Sequence, residues 1–521
     1  MVLPWRNNLL IIHPKTHVPL TLIFFGALLS LAFAPVNMPG FATISLACFF
    51  YQLRKAQSLS KSFLNGWLYG FSFFCAGTSW IYISIHSYGQ AEPWLAFILT
   101  ILFCGFMGLY LGFFGLLFHG LLQKRRLLEQ SLGFSVLWVL LEYLRANLFT
   151  GFPWLSLGYS QTTTPMRYLA PIVGVYGLSF LVALSGCLLV MACLFSKQHK
   201  KWHYPALLII GIYILPQVLA SYHWTKPLSS KHQKIPVSII QGNIAEDEKW
   251  LPGAYEKTIR HYLHLTKNIP RHNSPPNTHE TRLIVWPEGA IPVPYPQSKF
   301  FLAHLSSFIK KQKATLVTGI PYEATDASNQ YYNAIMVLGN SSGKYFKHHL
   351  VPFGEYLPAS IFRDIAQYFD MPIYETSRGD FHQPLLNLEQ IPTLPFICYE
   401  IAYSDILLNA LPAAKLLITI SDDAWFGHSM ARAQHLQMAQ MRSLQSGRYQ
   451  IVATNNGISA IIDAQGEILL TVPSFETYVL NGYVKAMSGR TPWSYIGDNV
   501  VVLFLSLIFC GLWFRRKESQ V

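Results

Sequence analysis

Charge is scarce in this chain. Only 12% of its 521 residues are Asp, Glu, Lys or Arg, about half the share of an ordinary soluble domain, while 51% are hydrophobic. A purely soluble protein is thereby excluded. Acidic residues are scarcest in the apolar part. Outside residues 223–498 there are 4 of them against 16 Lys and Arg, whereas inside that stretch 23 Lys and Arg meet 22 Asp and Glu. The formal net charge of +13 therefore sits with the greasy segments. The near-neutral polar part offers no basic face, so nucleic acid is not expected as a partner. Cysteine is scarce too: Cys48, Cys75, Cys104, Cys187, Cys193 and Cys510 lie in apolar runs, which leaves Cys398 alone in the polar part, with no disulfide partner there. There is no zinc-type Cys/His spacing, no nucleotide signature, no internal repeat and no low-complexity segment. Neither a metal nor a cofactor is expected.

What the chain does have is long apolar runs. Eight read as membrane spans: 18–34, 37–53, 63–84, 94–122, 131–149, 169–195, 204–222 and 497–514. Each is near the ~20 residues that cross ~30 Å of hydrocarbon, the second being short. Basic residues alternate between the connections. Arg6 and Lys15 precede the first span. Arg54, Lys55 and Lys61 follow the second, Lys124, Arg125 and Arg126 the fourth, Lys197, Lys200 and Lys201 the sixth, and Arg515, Arg516 and Lys517 the eighth. The loops near 35–40 and 86–93 carry none. This asymmetry puts both termini in the cytoplasm and the polar part on the far side. Ala32-Phe33-Ala34 resembles a cleavage site, but Pro35 and the later spans argue for an uncleaved first span. Glu142 and Arg145, three apart on one helical face, are expected to form an interfacial ion pair rather than to act in catalysis. The aromatic, glycine-rich loop 151–161 is expected at the outer interface, as a lipid access surface or an anchor.

Between the seventh and eighth spans the texture changes. Short β-rich runs at 237–241, 283–286, 315–319, 334–338, 394–398, 416–421, 450–454 and 460–463 alternate with helix-like stretches at 253–267, 300–312, 403–410 and 430–446. That alternation predicts one layered α/β domain. The expected division is a membrane domain at 1–222, a catalytic domain at 223–496 and a last span with a basic tail at 497–521. Residues 268–282 read as an exposed loop, and 363–390 as an irregular, mobile excursion.

Three stretches carry chemistry. Glu288 ends the apolar run Leu283-Ile284-Val285-Trp286 and precedes Gly289. Desolvation there raises a carboxylate towards the range of a general base; a helix cap or a surface carboxylate is the alternative. Lys347, in Tyr345-Phe346-Lys347-His348-His349, can hold an oxyanion and favour a nearby thiolate. The adjacent histidines would point to opposite faces of a strand and make no metal pair. Cys398 ends another apolar run and meets a turn at Tyr399-Glu400-Ile401. A strand-to-helix turn suits a nucleophile; a buried structural thiol is the alternative. Thiol, base and cation on one domain suggest a thiolate nucleophile for acyl chemistry.

Together these stretches resemble the nitrilase superfamily, whose members use a Glu–Lys–Cys triad. With eight spans, and this domain before the last, the chain is similar to its membrane-integrated branch, the bacterial apolipoprotein N-acyltransferases. The motifs that carry the likeness span nearly the whole chain: loop 151–161, Gln241-Gly242-Asn243 with Lys249-Trp250, Trp286-Pro287-Glu288, the run from Lys347 to Glu355, Cys398-Tyr399-Glu400, Asp423-Ala424-Trp425-Phe426-Gly427 and Thr454-Asn455-Asn456-Gly457. Two positions depart from the family's pattern: Asp422 after Ser421 where Asn is usual, and Gln445 where Glu is frequent.

The resemblance implies a multi-span helical membrane bundle of about eight spans plus a nitrilase-like αββα sandwich inserted before the last. It implies Cys398 as nucleophile, Glu288 as base and Lys347 as oxyanion holder, with Trp250, Glu355, Tyr399, Glu400 and Trp425 in supporting or substrate-binding roles. The implied reaction moves the sn-1 acyl chain of a membrane phospholipid through a cysteine thioester to the N-terminal cysteine amine of a diacylglyceryl apolipoprotein. It is the last step of lipoprotein maturation. The implied setting is the bacterial inner membrane, with the catalytic domain periplasmic and the protein a monomer. A membrane-tethered amidase or nitrilase hydrolysing C–N bonds would leave the bundle unexplained. A transporter with a vestigial nitrilase domain would be expected to carry more ionisable residues in its spans.

Overall fold

The computed structural model describes residues 17–198, 201–228, 234–249, 251, 253–270, 282–323, 331–369, 371 and 375–518. Every expected span is helical: His17–Ser30, Gly40–Lys55, Leu59–Gly77 continued by Ile81–Tyr88, Pro93–Leu122, Leu127–Asn147, Ala170–Lys197, His203–Ile214 and Pro492–Glu518. Among the described residues five helices are long and apolar enough to cross a membrane, or six if the bent pair is one span. His17–Ser30 and Gly40–Lys55, with 14 and 16 residues, rise only about 21 and 24 Å as α-helices, short of a full hydrocarbon core. The bundle packs closely at its glycines: a Cβ on Gly66 would lie 1.9 Å from the carbonyl oxygen of Leu111, so the third and fifth helical segments meet backbone to backbone.

The expected span 63–84 is not one straight helix. It starts at Leu59 and bends by 63° after Gly77. At the break the Thr78 hydroxyl donates to the Phe74 carbonyl at 2.7 Å, and Trp80 packs with its centroid 5.0 Å from Trp154 and from Phe426. The continuation then runs against the polar domain, where the Ser84 hydroxyl donates to the Trp425 carbonyl at 2.8 Å.

The polar domain is two six-stranded sheets packed face to face. One runs in the order Tyr478–Val484, Ile235–Gln241, Arg282–Val285, Ala314–Glu323, Tyr331–Gly339, Gly343–Phe346. The other runs Ile468–Val472, Ser459–Ile462, Gln450–Thr454, Leu416–Ser421, Ile391–Ile397, Leu386–Leu388. Each has three parallel strands among antiparallel ones, and those parallel strands are apolar on both faces because both faces are covered. Val237, Ile239, Val285 and Val317 face Ile397, Ile418, Ile420 and Ile451 between the sheets. Helices Ala254–Lys267 and Tyr295–Lys311 cover the first sheet's outer face through Ile259, Leu302, Leu305 and Ile309.

Helix Ala431–Ser446 covers the second sheet, and all of it is buried except Ala433 and Gln440. Its far side meets the bundle. Gln434 accepts from the Trp154 indole at 2.6 Å and donates to the Gly77 carbonyl at 3.1 Å, and Gln437 accepts the Ala34 N–H at 3.2 Å. One apolar cluster is continuous through the membrane helices, this helix and the sheet beneath it. The polar domain is therefore an αββα sandwich whose second helical layer is wedged against the bundle.

All eight expected strands are present. Six further strands lie outside the expected set: Thr225–Pro227, Gly343–Phe346, Leu386–Leu388, Ile468–Val472, Tyr478–Val484 and Met487–Gly489. Stretch 363–390 is irregular only in part, since Ser360–Tyr368 is helical and Leu386–Leu388 pairs with Ile391–Ile397. Two expectations are corrected. Loop 151–161 is no surface anchor: all of it but Phe152 is buried, with Trp154 1% exposed. Glu142 and Arg145 are buried and form no ion pair with each other within 4 Å; both serve that loop instead. Arg145 donates to the carbonyls of Phe152 and Trp154 at 2.6 Å each, and Glu142 accepts from the Leu157 N–H and the Trp138 indole at 2.8 Å each.

Candidate active site

Three strands end together. Arg282–Val285 runs on through Trp286 and Pro287 to Glu288, Gly343–Phe346 is followed by Lys347, and Ile391–Ile397 by Cys398. The carboxyl ends of parallel strands, where α/β proteins place ligands, bring Glu288 and Cys398 to one edge of the sandwich. Gly319 on the neighbouring strand makes room for Glu288: a Cβ there would stand 2.6 Å from Glu288 Cα.

Glu288 is held at both oxygens. Oε1 accepts from Asn333 Nδ2 at 2.7 Å, and Oε2 accepts the Asp422 N–H at 2.7 Å. Lys347 Nζ lies 3.7 Å from Oε1 and 2.9 Å from Glu355 Oε1, with its side chain 1% exposed. Glu355 also accepts from Asn333 Nδ2 at 3.0 Å and from the Val351 N–H at 2.8 Å. Two carboxylates, one amide and one ammonium thus form a closed network. Burial raises the Glu288 carboxyl above its ordinary range, against the pull of Lys347 and with a push from Glu355. Burial alone would lower Lys347, but Glu355 and Glu288 outweigh it, so the ammonium stays charged.

Cys398 is half-buried, at φ +50°, and opens the five-residue 3-10 turn Cys398–Ala402. A positive φ on a residue with a Cβ is strained backbone, of the sort found where a nucleophile is presented on a sharp turn. The thiol feels Glu288, Lys347 and Asp423 and hydrogen-bonds Ser421. Lys347 favours a thiolate as expected, yet burial and Glu288 outweigh it and the thiol is pushed well up. The balance favours the thiol over the thiolate, beside a carboxyl that burial also raises.

The supporting residues tie this site to the rest of the molecule. Glu400 is fully buried. It accepts the Ile397 N–H at 2.8 Å, the His348 N–H at 2.6 Å and the Tyr345 hydroxyl at 2.9 Å, so it links the Cys398 turn to the strand end bearing Lys347. The Tyr399 hydroxyl donates to the Gly151 carbonyl in the bundle loop at 3.1 Å. Trp425 accepts from Ser84, and its ring stands 5.2 Å from that of Tyr88. Trp250 lies outside the described residues. Of the two departures noted above, Asp422 is ion-paired to Lys249 and Gln445 accepts from Arg442 Nη1 at 2.5 Å.

Several site residues were not read from sequence. Asn333, Asp422 and Ser421 contact the base or the thiol directly. His435 sits behind them, with Nε2 3.0 Å from the Cys398 carbonyl and Nδ1 3.3 Å from Asp423 Oδ1. Polar residues inside otherwise buried strands and helices were the available signal. It was not specific, because a buried polar side chain need only be hydrogen-bonded.

Exposed aromatic side chains flank Glu355 in the chain. Phe353, 59% exposed, packs on Phe362 with centroids 4.9 Å apart. Exposed Phe369 meets exposed Trp94 at 6.2 Å, and Met371 packs on Ala91, Leu95 and Ala96 at the start of helix Pro93–Leu122. A thiol, a carboxylate and a fixed cation brought together in this way are equipped for covalent acyl chemistry.

Comparison with known proteins agrees with this geometry. Residues 25–188 match the family described as apolipoprotein N-acyltransferase N-terminal domain, and residues 237–489 match carbon-nitrogen hydrolase. A protein of Coxiella burnetii named apolipoprotein N-acyltransferase is 40% identical over 492 residues, covering 93% of this chain and 98% of its own. Proteins of the same name from Methylococcus capsulatus and Pseudomonas aeruginosa are each 37% identical, covering 95% of this chain and 95% and 96% of theirs.

Proposed function

The chain belongs to the apolipoprotein N-acyltransferase family, and on that premise we propose that it moves an acyl chain from a membrane phospholipid, through a thioester on Cys398, to the N-terminal cysteine amine of diacylglyceryl apolipoproteins. The observation that carries the reading is the convergence of Glu288, Lys347 and Cys398 from three strand ends.

In the first half-reaction Glu288 takes the Cys398 proton as sulfur attacks the ester carbonyl. Lys347 holds the oxyanion. The C–O bond breaks and the proton passes from Glu288 to the leaving glycerol oxygen, which departs as a lysophospholipid. In the second, the acceptor's amine nitrogen attacks the thioester carbonyl, the C–S bond breaks, and Glu288 relays a proton from nitrogen to sulfur. Transfer rather than hydrolysis requires that water be kept from the thioester, which an apolar approach favours.

The matching topology has about eight spans, counting the two short N-terminal helices. Residues 1–222 form the membrane domain, 223–496 the catalytic domain, and 497–521 the last span and tail. Both termini are cytoplasmic, the catalytic domain is periplasmic to the inner membrane, and the protein acts as a monomer. Trp250 belongs to the substrate-binding set. Intact-mass measurement on protein incubated with phospholipid tests the thioester: the parent gains one acyl chain that hydroxylamine removes, and Cys398→Ala gains none. An acyl adduct that persists in Cys398→Ala overturns the assignment.

A further inference from the structure

We infer that Lys249 and Asp422 form a buried ion pair that positions Glu288 and sets the pH at which it acts as base. The inference rests on the role given to Glu288 above. Asp422 supplies the N–H that binds Glu288 Oε2 at 2.7 Å. That peptide is fixed because the Asp422 carboxylate is fully engaged. One oxygen is ion-paired to Lys249, and the other accepts from Asn455 Nδ2 at 3.2 Å and from the Ala424 N–H at 3.3 Å. Lys249 approaches the base a second time, with Nζ 3.5 Å from the Glu288 carbonyl oxygen. Its side chain is 3% exposed, and Glu246 Oε2 lies 3.7 Å away.

The backbone beside the base is shaped for this ammonium. Gly289 stands at φ +60°, and a Cβ there would meet Lys249 Nζ at 2.7 Å. A buried ion pair contributes little net stability over well-packed apolar side chains. Its cost is better explained by what it touches, the Glu288 carboxylate and the peptide on either side of it. Lys249 stands between the Asp422 and Glu246 carboxylates and offsets their charge towards Glu288, leaving a rigid amide donor at the base. The groups facing Glu288 are then Lys347 and Glu355 on one side, the Cys398 thiol and His435 on another, and this pair on the third.

The test is the acidic limb of kcat/KM against pH. It uses full-length protein in detergent micelles with phospholipid donor and a diacylated lipopeptide acceptor. Lys249→Met leaves the Asp422 carboxylate uncompensated beside the base, so the limb moves up by roughly one pH unit, with a loss in kcat and little change in KM. Asp422→Asn removes the negative charge and keeps the N–H, so the limb moves down. Joining the two substitutions brings it back towards the parent. Should Lys249→Met fail to fold, the near-isosteric Asp422→Asn alone decides by its downward shift. Single variants whose limbs do not move, or move the same way, overturn the inference. Mass analysis separates this outcome from failure of the functional reading: there the parent itself would form no acyl-enzyme on Cys398.

Discussion

The hydroxyl of Tyr399, the residue after Cys398, donates to the carbonyl of Gly151 in the loop between two membrane helices, 3.1 Å away. The turn that carries Cys398 is therefore fastened to the bundle, not only to its own sheet. The same loop is gripped from below by Arg145 and Glu142. Hydrogen bonds thus run from the bundle through the loop to the Cys398 turn.

Tyr399→Phe removes that bond and leaves the ring in place. A neutral hydrogen bond contributes about 1 kcal/mol, so the melting temperature should change little. A small shift of the nucleophile against base and cation should still slow the acyl-enzyme step by about tenfold or more. Single-turnover acylation followed by intact mass measures this. A rate equal to the parent's would show the contact to be idle.

Glu400 tests the internal brace. Its carboxylate gathers the N–H of Ile397, the N–H of His348 and the Tyr345 hydroxyl. Glu400→Gln keeps the shape but exchanges an acceptor oxygen for a donor NH₂, which cannot serve those donors. Buried donors left unsatisfied cost about 1–3 kcal/mol each, so both stability and acylation should fall. Glu400→Asp shortens the reach and is expected to lose activity before stability. Thermal unfolding and acylation rate, measured together, separate the two effects.

Much of this was legible beforehand, for a physical reason. Glu288 and Cys398 end runs of apolar residues buried on both faces, and such runs stand out against polar flanks. Lys347 was found from its motif, although its strand, Gly343–Phe346, is a four-residue edge strand too short to show a period. Helix Ala431–Ser446 was found by length, but its burial was hidden. Gln434, Gln437 and Arg442 look solvated, and only the bundle pressed against them makes them interior. The bend after Gly77 has a weak signal, because Gly77-Thr78-Ser79 brings neither charge nor proline into the apolar run. Loop 151–161 was misjudged because Trp and Tyr suit both a membrane interface and a packed seam, and composition does not separate the two.

His435 gives stability a pH signature. Its ring nitrogens face two acceptors, the Cys398 carbonyl at Nε2 and the Asp423 carboxylate at Nδ1, an arrangement that favours the protonated ring. Burial lowers its pKa, but Asp423 more than offsets this and the folded value is raised. A raised histidine contributes its full stabilisation below the unfolded value of about 6.5 and loses it as pH climbs through the folded value. Unfolding midpoints taken at rising pH should therefore drop above that point, and His435→Gln should flatten this part of the curve. An unchanged slope in the variant would assign the drop to other groups.

Gly319→Ala probes the base from behind. The added methyl would lie 2.6 Å from both Glu288 Cα and the Gly289 N, and 2.8 Å from the Pro287 carbonyl. These are backbone atoms that cannot swing aside, so the segment carrying the base must move. The Ala314–Glu323 strand is paired along its length with Tyr331–Gly339, so most of the shift falls on Glu288 rather than on the sheet. Displacement by a fraction of an ångström breaks the 2.7 Å bonds from Asn333 and Asp422. Overpacking of this kind costs about 1–3 kcal/mol, and losing the base's alignment should lower acylation about a hundredfold. The folded variant should still bind phospholipid, and alkylation of Cys398 by a small neutral reagent should show the thiol still reachable. If acylation is unimpaired, the close backbone approach is not what holds the base in place.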